Sequence, residues 1–104
     1  MLRRSTMLGL LLAASLAVPA GAETAEEFFK GKLISLIVGY NPGGPYDVYA
    51  RLAATALPKC IPGGPKIVVQ NMQGIGSAKA ADYLANQASR DGLTLGVIGQ
   101  QLPV

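Results

Sequence analysis

The sequence predicts an α/β fold built on a three-stranded parallel sheet, a βαβαβ unit with helices over its faces. Three observations predict it. Short apolar, β-branched runs recur at residues 33–38, 66–70 and 93–98. A glycine-bearing loop follows each run, and helical spacing follows the first two loops. Strands alternating with helices in this way form parallel sheets, and right-handed crossovers then bring all three loops to the carboxyl edge, where open α/β folds bind ligands.

Residues 1–22 have the pattern of a cleavable signal peptide. Arg3 and Arg4 supply the positive start, residues 7–18 the apolar run, and Ala20-Gly21-Ala22 the small-residue cleavage site. The run is shorter than the ~20 residues that span a bilayer, so the exported chain is not expected to cross a membrane. Residues 23–104 keep seven basic and six acidic side chains, a net charge of +1. No basic cluster survives, which argues against nucleic acid as a partner.

Thr24-Ala25-Glu26-Glu27 has capping-box spacing, so a short helix is expected before Gly31, with Phe28 or Phe29 packed on the domain. Leu33–Val38 reads as a strand covered on both faces. In the loop after it, Gly43 and Gly44 allow a sharp turn that Pro42 and Pro45 stiffen. Val48, Leu52, Thr55 and Ala56 then recur at helical spacing, and Pro58 is expected to end that helix near Leu57. The second strand covers residues 66–70. Ser77 stands where a helix cap belongs, and the second helix of this alternation is expected over residues 78–88, with a narrow apolar stripe of Ala81, Leu84, Ala85 and Ala88. The alanines let this helix lie close to a sheet. A turn at residues 89–92 leads to the third strand.

The sequence excludes several chemistries. It holds no histidine, so Cys60 and Ser77 have no imidazole base. Cys60 is the one cysteine and reads as a half-buried loop residue. Asp47, Asp82 and Asp91 fall on three different elements, so paired carboxylates are absent and no catalytic residue is assigned. Gly74-x-Gly76 lacks the third glycine of a dinucleotide fingerprint, because Lys79 stands there, and the loop at 42–45 lacks a Walker lysine. No metal or cofactor is expected. Asp47 suits the first turn of a helix, with Arg51 one turn on as an ion-pair partner; it also stands where it can orient the glycine loop or meet a ligand. Free N–H groups at a helix start attract anions, so the loop after the first strand is a candidate small-anion site.

Pro42-Gly43-Gly44-Pro45-Tyr46-Asp47-Val48-Tyr49-Ala50-Arg51-Leu52 resembles the P-G-G-G-x-D-x-x-A-R-L signature of Bug-type proteins, the extracytoplasmic receptors of tripartite tricarboxylate transporters. The resemblance continues, in order, through Ile61-Pro62-Gly63, residues 67–72, Gly74-Ile75-Gly76-Ser77, residues 80–84 and residues 91–96. Pro45, Gln73 and Ile75 depart from the usual residues. The resemblance implies a periplasmic, non-enzymatic receptor of the type II binding-protein fold that takes a small carboxylate and works with membrane transporter subunits. Residues 23–104 would then be the N-terminal part of its first domain, since two ordinary domains need roughly 250–350 residues. Carried over, ligand contacts fall on Tyr40, Asn41, Pro42, Gly43, Gly44, Pro45, Tyr46 and Asp47 in the first loop and on Gly74, Gly76 and Ser77 in the second. Two alternatives stand beside this: a truncated, non-functional fragment of such a receptor, and, more remotely, a piece of a nucleotide-binding α/β enzyme.

Overall fold

The computed structural model describes residues 21–102. Most of the expected signal peptide, residues 1–20, lies outside the described residues. The elements run α1 (Ala25–Phe29), β1 (Leu33–Val38), α2 (Pro45–Cys60), β2 (Lys66–Asn71), a 3₁₀ turn (Ile75–Ser77), α3 (Ala78–Asn86) and β3 (Thr94–Val97). The three strands form one parallel sheet in the order β2-β1-β3, with Leu36 opposite both Val69 and Leu95. This is the expected α/β arrangement, with β1 at the centre.

Strand alternation divides the sheet residues between two faces. Ile34, Leu36 and Val38 of β1 meet Ile67 of β2 and Ala50 of α2 in the buried core, with Phe29, Ala54, Ile61, Val69 and Val97 packed around them. The opposite face receives α3. There Gly39 lies against Ser77 and Ala80, and Gly96 lies under Leu84. Helices on opposite faces are what two crossovers of the same hand require when β1 is central. The approach of α3 depends on the missing side chains of Gly39 and Gly96 as much as on the alanines of the helix.

The capping box at Thr24 is present, with Glu27 N–H donating to Thr24 Oγ1 at 3.1 Å and Thr24 N–H to Glu27 Oε2 at 3.3 Å. Gly31 takes a left-handed φ of 70° and turns the chain into β1.

Four expectations are corrected. The helix α2 does not stop at Leu57; it runs through Pro58 to Cys60, and Ile61 N–H closes on Leu57 C=O at 3.0 Å. Proline removes one helical donor but not the helical path, and Ile61 packs on the core just beyond it. Val48 and Leu52, whose spacing marks the helix, lie on its outer face, 56% and 63% exposed, while Asp47 and Ala50 point inward. The helix α3 ends at Asn86 rather than residue 88, and its contact face is centred on Ala80, with Ala85 exposed. Cys60 is exposed rather than half-buried.

A Cβ at Gly39 would press into the Ser77 side chain and come within 3.3 Å of the Ala80 Cβ. The Gly39→Val variant is therefore expected to lose about 1–3 kcal/mol of stability from overpacking, read as a lower urea midpoint with an unchanged denaturant slope.

Candidate functional site

The loops after β1, β2 and β3 meet at the carboxyl edge of the sheet. Their meeting point is Gly99, just beyond β3. Its N–H donates to Ser77 Oγ at 2.7 Å, and a Cβ there would run into the Tyr40 hydroxyl and stand 3.1 Å from Ser77 Oγ. Tyr40 ends the first strand's exit, Ser77 ends the second loop, and Gly99 opens the third. The Tyr40 ring in turn stacks on Tyr46, with centroids 4.3 Å apart and planes 11° from parallel. Beside this stack, Pro45, Tyr46, Tyr49 and Gln100 line an open depression of about 230 Å³.

The first loop is held by a buried carboxylate. Asp47 is 2% exposed. Its Oδ2 accepts from Gly43 N–H at 2.8 Å and from Arg51 Nε at 2.9 Å, and its Oδ1 accepts from Asn71 Nδ2 at 2.8 Å. The Arg51, Gly43 and Asn71 donors, in that order of weight, hold the Asp47 pKa down to about 2 against the opposing effect of burial. Both readings of Asp47 offered by the sequence are partly realised. It sits in the first turn of α2, pairs with Arg51 at i, i+4, and orients the glycine loop. Its two oxygens are engaged within the protein.

The backbone donors sort accordingly. Gly43 N–H is taken by Asp47, Gly44 N–H points to Asn41 C=O at 3.5 Å, and Pro42 and Pro45 carry none. The first-turn amides of Tyr46 and Asp47 have no partner within α2, as at any helix start. Asn41, Pro42 and Gly43 form the exposed tip of the loop.

In the second loop Gly74, Ile75, Gly76 and Ser77 all have positive φ, at 149°, 50°, 55° and 72°. Ser77 does stand at the N-cap position of α3, as the sequence reading has it, but its hydroxyl does not do the capping. Ser77 is left-handed, makes no capping bond to α3, and is fully buried with its hydroxyl turned to Gly99. Position 75 is strained, because a β-branched residue in the left-handed region crowds its own backbone. The Ile75 side chain gains no packing in return, being 88% exposed.

Sequence reasoning missed Asn71. The sequence pattern ends the second strand at residue 70, whereas Asn71 closes β2 opposite Val38 and bonds to Asp47 and Arg51 of α2. A signal was present: Ile67 and Val69 face the core, and the next residue of that parity is a polar one. The third loop also contributes more than expected, through Gly99 and Gln100. Among the described residues no group of histidine, cysteine and acidic side chains is arranged to hold a metal.

Comparison with known proteins places the chain. It is 34% identical over 105 residues to protein BugT of Bordetella pertussis, an alignment that takes in 100% of this chain and 30% of that protein. A UPF0065 protein of the same organism is 36% identical over 95 residues, or 91% of this chain and 26% of its own length. The chain belongs to the Bug-type proteins and matches their N-terminal portion. It spans less than a third of the length of these curated relatives. No family model matches it, and no solved structure matches it. The sheet described above is consistent with part of a Bug-type domain.

Two outcomes follow from the geometry. Asp47 has a folded-state pKa of about 2, below its ordinary value of 3.8. The unfolded chain therefore binds this proton first as pH falls, and the stability the carboxylate contributes is full above about pH 4–5 and lost as pH drops towards 2. Thermal melts between pH 5 and 2 are expected to show a falling midpoint, and the Asp47→Asn variant a flatter profile. Ile75→Gly relieves the left-handed strain, in part offset by glycine's unfolded-state entropy, and is expected to stabilise the chain by about 0.5–1 kcal/mol in urea unfolding.

Proposed function

We propose that this chain supplies one wall of an extracytoplasmic solute receptor for a small carboxylate. The observation that carries the reading is the convergence of three post-strand loops at one sheet edge, where the first leads into α2 and the second makes a left-handed turn ahead of α3. The amides of Tyr46 and Asp47 on α2, and of Ile75 and Gly76 on the 3₁₀ turn, are the donors a carboxylate would meet. Arg51 is committed to Asp47, so in this reading the anion is met by backbone dipoles and not by that guanidinium. Membership among the Bug-type proteins supports the same reading.

In this proposal residues 1–22 direct export to the periplasm and are removed. Residues 23–104 form the N-terminal part of the first of two domains, and the receptor passes its ligand to membrane transporter subunits. The protein performs no catalysis and needs no cofactor. No helix among the described residues is long and apolar enough to cross a membrane. Tyr40, Asn41, Gly44, Gly74 and Ser77 shape the pocket, with Pro42, Gly43 and Pro45 setting the course of the first loop.

The test is a two-dimensional amide NMR titration with succinate, run beside its neutral analogue succinamide. Expected are saturable shifts at millimolar succinate concentrated at Tyr46, Asp47, Ile75 and Gly76, and no comparable response to succinamide. Equal responses to both compounds, or shifts centred away from these loops, would refute the reading.

A further inference from the structure

Asn71 uses every polar atom of its side chain inside the protein. Its Nδ2 donates to Tyr40 C=O at 3.0 Å and to Asp47 Oδ1 at 2.8 Å, and its Oδ1 accepts from Arg51 Nη2 at 3.2 Å. Tyr40 and Asp47 are the two ends of the first loop. Asn71 therefore spans that loop from root to root, in addition to ending the strand that feeds the second loop. Its neighbour Met72 repeats the tie through the backbone, donating to Val38 C=O at 2.7 Å. An amide carries two N–H donors and an acceptor in one plane, which this triple role requires. A carboxylate lacks the donors, and an apolar side chain lacks both.

From this geometry we infer that Asn71 is the positioning residue of the site. It sets the opening of the first loop and its placement relative to the second, with no contact of its own to ligand. Asp47 is its counterpart on the helix. Together they keep the amides of Tyr46 and Asp47 facing the same space as those of Ile75 and Gly76. The inference rests on the proposed function for what the loops hold, but the positioning itself is measurable without ligand.

Amide hydrogen exchange on the full chain provides the test. In Asn71→Leu the Gly43 amide is expected to exchange at least tenfold faster. The Gly76 resonance should move as well, while Leu36 and Ile37 in the central strand keep their protection. Unchanged Gly43 exchange together with an unmoved Gly76 resonance would overturn the inference. Should this variant fail to fold, Asn71→Asp carries the same question. It sets a second carboxylate against Asp47, with Arg51 the cation that contacts both positions among the described residues. At pH 7 Gly43 protection is expected to be lost, and on lowering the pH to 5 it should recover in part, as one shared proton restores a donor between the two carboxyls. After correction for intrinsic exchange, a pH-independent value would overturn the inference, because a side chain that only fills space has no such profile. The succinate titration separates the two readings. If loop exchange responds as described but wild-type chain ignores succinate, positioning stands and the carboxylate reading falls. If Asn71→Leu binds succinate as wild type does, positioning falls.

Discussion

A carboxylate taken out of water has to be met by donors, and in this chain the donors of Asp47 come from three places at once. Gly43 approaches from the loop, Arg51 from one turn further along α2, and Asn71 from the end of the neighbouring strand. The requirement is severe, since a buried charge left without partners is among the costliest defects a small domain can carry. Meeting it fixes the loop, the start of the helix and the strand end relative to one another. The course of the chain between β1 and α2 is thus set by electrostatics more than by apolar packing, and its tip can remain exposed without losing its shape.

The second dependence is steric. Gly39, Gly96 and Gly99 stand where a side chain would strike Ser77, Leu84 and Tyr40. The three contacts lie along one face of the sheet and its exit. They allow α3 and the third loop to close down until Ser77 can take the Gly99 amide. The aromatic stack of Tyr40 on Tyr46 covers the other side of the same junction. Apolar burial supplies the core beneath, and the close approach of side chains to glycine backbone supplies the junction.

Much of this was legible from residues alone. The three strands, the loops at one edge, the capping box at Thr24 and the Asp47–Arg51 pair follow from local pattern, because each depends on neighbours within a few positions. Where the reading failed, the deciding contact lay far along the chain. Ser77 looks like a helix cap until Gly99, 22 residues on, claims its hydroxyl. Asn71 looks like loop until Tyr40 and Asp47, 31 and 24 residues earlier, claim its amide. Pro58 looks like a stop until the packing of Ile61 carries the helix past it. The spacing of Val48 and Leu52 identified a helix correctly but not the direction it faces, since the inward side is made of Asp47 and small alanines.

The order β2-β1-β3 has an architectural corollary. The strand feeding the first loop is hydrogen-bonded along both flanks, whereas β2 and β3 each have one flank outside this sheet. Further strands joining at either rim would change the surroundings of the second and third loops and leave those of the first as they are. The arrangement separates a constant part from an adjustable one: variation at the borders can retune what is recognised, while the central turn keeps its geometry.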